Sequence, residues 1–322
     1  MASTRAPSRR GSALSVDAAL MAVAIMWAAT FVTFKVAWRD VDPVAFTGIR
    51  FALMVLFSVV VLAAARGHRF PDPADAPRLI AAALCGYFLY QLGFVLGLSR
   101  TSALAGAILI STHPIFAVMY SWIGRRERPE PMQVAGVALG FFGVAVFLQF
   151  WDAFGAAQLG DLFSLGAAAA FGAYGVLNQP LGKRYPTSRL MAWELIVGGT
   201  LTTLIAVPAM LHQDWAAVSG QSWLIIVYAT VGPVYLAYAM WNWAIRKRGI
   251  ARTVVYGFLV PVLGGAMAVV FLNEHVTPSE VVGALLVVAG LVVTRLPRRA
   301  AREVTAQAVE APSVAPAASA EI

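Results

Sequence analysis

The chain of 322 residues is 60% hydrophobic and only 12% charged, whereas an ordinary soluble domain carries about 25% charged residues. It cannot cover a folded core with polar surface, so soluble enzymes and soluble binding modules are excluded and a lipid bilayer is the expected solvent. The net charge of +8 is spread over short turns between apolar runs, so it calls for no nucleic-acid partner.

In chain order, residues 1–16 form a basic, small-residue-rich tail that reads as disordered. Ten apolar runs follow, each near the length of about 20 residues that crosses the hydrocarbon core as a helix: 17–38, 43–65, 77–98, 103–123, 132–150, 160–181, 190–211, 222–245, 251–273 and 279–296. A cleaved signal peptide would need a shorter apolar core, of about 7–15 residues, so the first run reads as a retained helix. Residues 297–322, a mixture of Ala, Pro, Ser and Glu, form a second disordered tail. Cys85, the one cysteine, lies inside the third run, which leaves no disulfide framework and no thiolate metal site. No cofactor or metal is expected.

Basic residues set the expected orientation. All Lys and Arg except Lys35, Arg39, Arg50 and Arg100 fall in the N-terminal tail, the 2/3, 4/5, 6/7 and 8/9 turns and the C-terminal segment. With ten helices these segments share one side, which the positive-inside rule makes cytoplasmic. The expectation is a multi-pass protein of the inner cell membrane with both termini in the cytoplasm.

The two halves repeat. At a constant shift of 147, RRERPEPMQVAG (Arg125 to Gly136) overlies NEHVTPSEVVGA (Asn273 to Ala284), pairing Glu127 with Glu274, Pro131 with Pro278 and Gly136 with Gly283. Pro114 pairs with Pro261 and Gly143 with Gly290, while the first and sixth runs align at a shift of 144, Trp27 over Phe171. The frame is kept and the charge is exchanged: the 4/5 turn carries three arginines and its counterpart a single histidine. Five spans per copy force the second copy to enter from the opposite face, so this pattern is the one an inverted-topology repeat requires. The expected fold is an all-α polytopic membrane protein, ten transmembrane helices in two five-helix inverted repeats, 17–150 and 160–296.

These two copies, together with MWAATFVTFKVAWRDVDPVAFTGIRFAL at the start, resemble the EamA-type repeats of the drug/metabolite transporter superfamily over roughly residues 17–296. The resemblance implies a ten-helix carrier with a central cavity that exports small metabolites such as amino acids. His113 stands where that family more often has an apolar or small residue, so its role does not come with the resemblance.

Candidate site residues come from the cost of polarity in lipid. Pro114 and Pro261 each lie about ten residues into a run, roughly 15 Å deep in a core about 30 Å thick. Each removes an amide donor and frees a carbonyl, at Ile110 and Gly257. Paired helix breaks of this kind point to a carrier's binding site, and structural kinks satisfied by neighbouring hydroxyls are the plainer reading. Intramembrane ionisable groups cost on the order of 2.5 to 3.5 kcal/mol each at a helix centre, so Lys35, Arg50, His113 and Glu194 are singled out. Snorkelling and ligand contact both fit Lys35. Arg50 and Glu194 are expected at opposite mouths of one cavity, roughly 14 Å apart along the membrane normal, and His113 at the midplane is the candidate for a coupling proton. The stripes Phe171, Tyr174, Asn178 and Tyr235, Tyr238, Asn242 could line an aromatic wall, with Gln91 joining if it points inward; packing is the alternative for each. The glycines between Gly136 and Gly143 read as helix packing, and the oligomeric state stays open.

The four histidines show no metalloprotease spacing, and no nucleophile elbow or phosphate loop occurs. The expected partners are a small-molecule substrate and the bilayer, and no catalytic residue is assigned. A channel or a structural membrane protein is the alternative, though no selectivity filter or charged ring is evident, and an intramembrane enzyme ranks behind both.

Overall fold

The computed structural model describes residues 9–64, 71–124, 131–149, 159–248 and 255–293. The two tails beyond residue 8 and residue 293, the Arg125–Arg128 turn with Glu127, and Arg66 and Arg69 lie outside the described residues. Among the described residues, seven helices are long and apolar enough to cross a membrane: α1 (Ser15–Ala37), α2 (Pro43–Ala64), α3 (Ala76–Leu98), α4 (Ala103–Ile123), α6 (Leu159–Arg184), α7 (Thr187–His212) and α8 (Gly220–Trp241). Three further apolar helices, α5 (Pro131–Phe147), α9 (Leu259–Leu272) and α10 (Pro278–Val293), are shorter than the expected spans. No strand occurs among the described residues.

Helix starts follow from local side chains. Asp42 accepts from the amides of Val44 and Ala45 at 2.8 and 2.9 Å to cap α2, with Pro43 supplying the first turn. Ser102 caps α4 through Ala105 N, and Ser219 caps α8 through Ser222 N. Thr277 and Glu280 form a reciprocal capping box before α10. The surface is inverted relative to a soluble protein: Leu56, Phe142, Leu211, Leu224 and Phe271 are exposed, while Arg50, Asp161, Ser164, Thr202 and Glu194 are buried. That is the distribution expected where the solvent is hydrocarbon.

Helix partners cross between the halves. α1 packs on α8 and α9, α6 packs on α3 and α4, α2 lies along α7, and α5 lies along α10. The α5/α10 contact needs glycine. A Cβ on Gly143 would meet the backbone of Leu286 and Val287 at under 3 Å, and one on Gly290 would meet the backbone of Gly136 and Gly140. Residues 140 and 287 are related by the sequence shift of 147, as are 143 and 290, so the two contacts are copies of each other, as in a two-fold interface. A second correspondence is in the backbone: α3 contains a π-helical turn at Leu84–Leu89 and α8 one at Val231–Leu236, both ends again 147 residues apart. A third π turn, Leu195–Gly199, lies in α7.

The two ends of the bundle differ. At the basic end, which carries the 184–186 turn, Arg184 pairs with Asp75 at 2.7 Å and Tyr185 Oη donates to the same carboxylate at 2.6 Å. That carboxylate raises the Tyr185 hydroxyl above its ordinary range. At the far end the turns are tied to one another. Lys35 Nζ donates to the Thr101 carbonyl, and Thr101 Oγ1 donates to Asp161. Glu274 accepts from the amides of Ala103 and Leu104 at 2.6 and 2.9 Å, and so caps α4 from a different turn of the chain. Asp40 accepts from Ser222 Oγ at 2.5 Å and Ser219 N at 2.8 Å, joining the 1/2 and 7/8 turns.

Candidate functional site

Between these ends, polar groups are buried without partners. α7 begins at Thr187, three residues before the apolar run suggests, so Glu194 lies nearly a turn deeper than expected. It is 0% exposed. Its Oε2 accepts from Tyr174 Oη at 3.2 Å, and Tyr174 Oη in turn accepts from Asn178 Nδ2 at 2.8 Å. Glu194 Oε1 and Asn178 Oδ1 have no hydrogen-bond partner, and no cation lies within ion-pair distance of Glu194 among the described residues. Tyr87 packs edge-on against Tyr174, ring centroids 5.8 Å apart, and Tyr238 lies within electrostatic range of the carboxylate. The π turn that starts at Leu195 interrupts the regular ladder directly after Glu194, as π turns often do beside functional residues.

Arg50 is the second buried charge, 3% exposed. Its guanidinium carbon lies 4.7 Å from the Phe34 ring centroid, 5.6 Å from that of Phe51 and 5.7 Å from that of Phe46. The ring faces offset part of the desolvation cost. Nε and Nη1 nevertheless have no acceptor, and no carboxylate pairs with Arg50 among the described residues.

The packing of α2 on α7 sets the distance between the two charges. The helices are antiparallel, with Gly48 against Ala206 and Met210 and Gly199 against Phe51 and Val55. Arg50 is therefore offset from Glu194 by about ten residues, roughly 15 Å along the helices. The two residues occupy the same position in their helices, seven residues after Pro43 and seven after Thr187, at the shift of 144 that relates α1 to α6.

An aromatic wall joins the levels. Tyr90 stacks on Phe171 at 4.7 Å and lies within electrostatic range of Arg50 and Tyr238. Phe171 contacts Tyr174 at 5.3 Å and the His113 ring at 4.9 Å. Of the residues singled out in the sequence, His113, Tyr174, Asn178, Glu194 and Tyr238 thus come together, and Arg50 connects through Tyr90. Lys35 lies at the far end on the Thr101 carbonyl, apart from this group. Gln91 is half-buried on α3, and no hydrogen bond or ring contact among the described residues ties it to the wall. The side chain of Asn242 lies outside the described residues.

Pro114 and Pro261 each sit in the first turn of a helical segment. α4 is interrupted at Ser111 and Thr112 and restarts at His113, with Pro114 in its first turn. The two hydroxyls donate to the carbonyls of Ala107 and Leu109 at 2.7 and 2.6 Å, which also accept the backbone amides of Ser111 and Thr112; neither is the Ile110 carbonyl that Pro114 frees. In α9 a 3-10 turn, Val255–Phe258, precedes Leu259, and Pro261 is buried. Gly264 meets Ala107 and Gly265 meets Leu104, which levels Pro261 with Ile110, about one helical turn or 6 Å from Pro114.

Sequence reasoning missed Tyr87 and Tyr90. A signal existed, because Tyr87, Tyr90 and Phe94 repeat the i, i+3, i+7 spacing seen on the sixth and eighth runs. The π turns have no sequence signature.

Comparison with known proteins places this arrangement. The model of the EamA-like transporter family matches twice, over residues 14–149 and 158–296. The chain belongs to the EamA-like transporter family. A "probable terminal-alkyne amino-acid exporter" of Streptantibioticus cattleyicolor is 28% identical over 277 residues, 85% of this chain and 91% of that protein. A "probable amino-acid metabolite efflux pump" of Escherichia coli is 26% identical over 287 residues, covering 84% and 91% of the two chains. One solved structure, titled only as the crystal structure of a protein, superimposes with a TM-score of 0.59 at 22% identity, over 88% of this chain and 98% of its own. That likeness concerns the fold. This EamA-like chain is thus a membrane protein of a transporter family.

Proposed function

We propose that the protein is a secondary transporter that exports small metabolites, amino acids or related compounds, by alternating access around the polar groups between α2, α3, α6, α7 and α8. The observation that carries this reading is the pair of buried charges, Arg50 and Glu194, which have no counter-charge among the described residues and keep open hydrogen-bonding atoms, inside a chain of a transporter family. Intramembrane ionisable groups left unpaired by the protein are a cost that a ligand can relieve.

The mechanism rests on ten spans in two inverted five-helix repeats, the basic end and both termini facing the cytoplasm. The short helices α5, α9 and α10 would cross as part of this bundle. Support comes from the exchange of helix partners between the halves, the matching π turns of α3 and α8, and the self-similar α5/α10 contact. The far-end ties among Lys35, Thr101, Asp161, Glu274 and Asp40 correspond to a closed outer face, which must separate when the site opens outward. His113, in ring contact with Phe171, remains the candidate for sensing a coupling proton.

Saturable uptake with counterflow in vesicles containing the purified protein, using a panel of radiolabelled amino acids, tests the reading. A carrier accelerates exchange when unlabelled substrate is loaded on the opposite side. Flux that does not saturate and shows no counterflow would favour a channel.

A further inference from the structure

The unpartnered atoms have opposite chemistry. Around Tyr174 Oη, the two open positions are Glu194 Oε1 and Asn178 Oδ1; both are acceptors, so this place lacks a donor. A primary ammonium brings three N–H donors and a positive charge, which match the two open acceptors. Around Arg50 the open atoms are Nε and Nη1; both are donors, so that place lacks an acceptor anion. A carboxylate fits it, since a guanidinium edge binds one through two parallel bonds.

The two places are separated by roughly 15 Å along the helices. An α-amino acid carries its ammonium and carboxylate on one carbon and cannot reach both. We propose that Glu194, Asn178 and Tyr174 form an ammonium-recognising station near the basic end, and that Arg50 forms a separate carboxylate-recognising station toward the far end. An exported amino acid is read first by its ammonium and then by its carboxylate as it crosses. This assignment names the substrate class within the transporter reading and rests on it. Its residues are equivalent positions of the two halves carrying opposite charge, so each end of the path has its own selectivity.

The experiment uses purified full-length protein in detergent and three probes: 2-phenylethylamine, 3-phenylpropionate and phenylalanine, with binding followed by calorimetry. In the wild type the amine and the carboxylate are expected to bind together without competing. Glu194→Gln should weaken the amine by at least about tenfold and leave the carboxylate within about twofold, as expected for loss of one charge-assisted contact. Arg50→Met should do the reverse. Mutual competition, a variant that weakens both probes alike, or a wild type that binds neither probe while still exchanging phenylalanine in vesicles, would overturn the two stations and leave the transporter reading standing. Independent binding of both probes without any vesicle exchange would support the stations and count against transport.

Discussion

The far end and the interior of the bundle treat charged side chains in opposite ways. At the far end Asp40, Asp161, Glu274, Lys35 and Thr101 all meet hydrogen-bond partners contributed by other turns. In the interior, where an unmet polar group costs more, Glu194, Asn178 and Arg50 keep open donors or acceptors. Under the proposed transport the difference separates adhesion from function: charged groups that hold the fold are satisfied by the fold, and those that would meet the ligand are not.

The first way to sharpen this contrast is at Glu194 and Arg50. Glu194→Gln and Arg50→Met are each expected to reduce the initial rate of vesicle transport by at least about tenfold while the protein still inserts and elutes as a single species on gel filtration. Near-wild-type transport by either variant would remove that residue from the path.

Next in size is the α5/α10 contact, where backbone meets backbone at Gly143 and Gly290. Gly143→Leu should cost at least about 1–3 kcal/mol from overpacking, seen as a lower melting temperature in detergent. An unchanged melting temperature would contradict the close approach.

At the far end, Glu274→Ala removes a carboxylate from the N-terminus of α4. Loss of such a cap is worth about 1–2 kcal/mol, and in alternating access it should also weaken outer closure. Outside-added reagent is expected to label a cysteine placed at Leu104 faster in the Glu274→Ala background than in the parent. Equal rates would mean that the tie is not part of a gate.

The smallest effect is at Asp40. Hydrogen bonds from Ser222 and then Ser219 hold its carboxyl below the usual range. A depressed native value stabilises the fold above the ordinary carboxylate pKa of about 3.9, and the contribution fades as pH falls through the native value. Asp40→Asn should therefore lower the melting temperature slightly at pH 7 and by less near pH 3. A constant difference across that range would exclude the charge as its source.

The all-helical class could be read from sequence because lipid simplifies the problem: a backbone in hydrocarbon must be helical, so apolar length locates most elements within a few residues, whereas α9 starts at Leu259 rather than near 251. Arg50 and Glu194 stood out because an ionisable group inside an apolar run is costly in lipid, whereas their separation follows from how α2 packs on α7, which sequence depth does not supply. Lys35 was ambiguous because one ammonium can serve an interface or a ligand, and only the Thr101 carbonyl decides its placement. Tyr87 and Tyr90 keep the i, i+3 spacing of the other stripes, but which face of α3 meets α6 is a packing fact that the spacing does not supply. Glu274 was recognised as a helix-end anchor, but that it serves α4 is a tertiary fact which local spacing cannot supply.

The most direct test of the central claim compares stability and transport in the same preparation of Glu194→Gln and Arg50→Met. Buried charges without a protein counter-charge should be replaceable without loss of stability, so the account predicts unchanged or higher melting temperatures together with strongly impaired transport. Variants that melt several degrees lower and still transport at the wild-type rate would show that these charges hold the fold and do not meet the substrate.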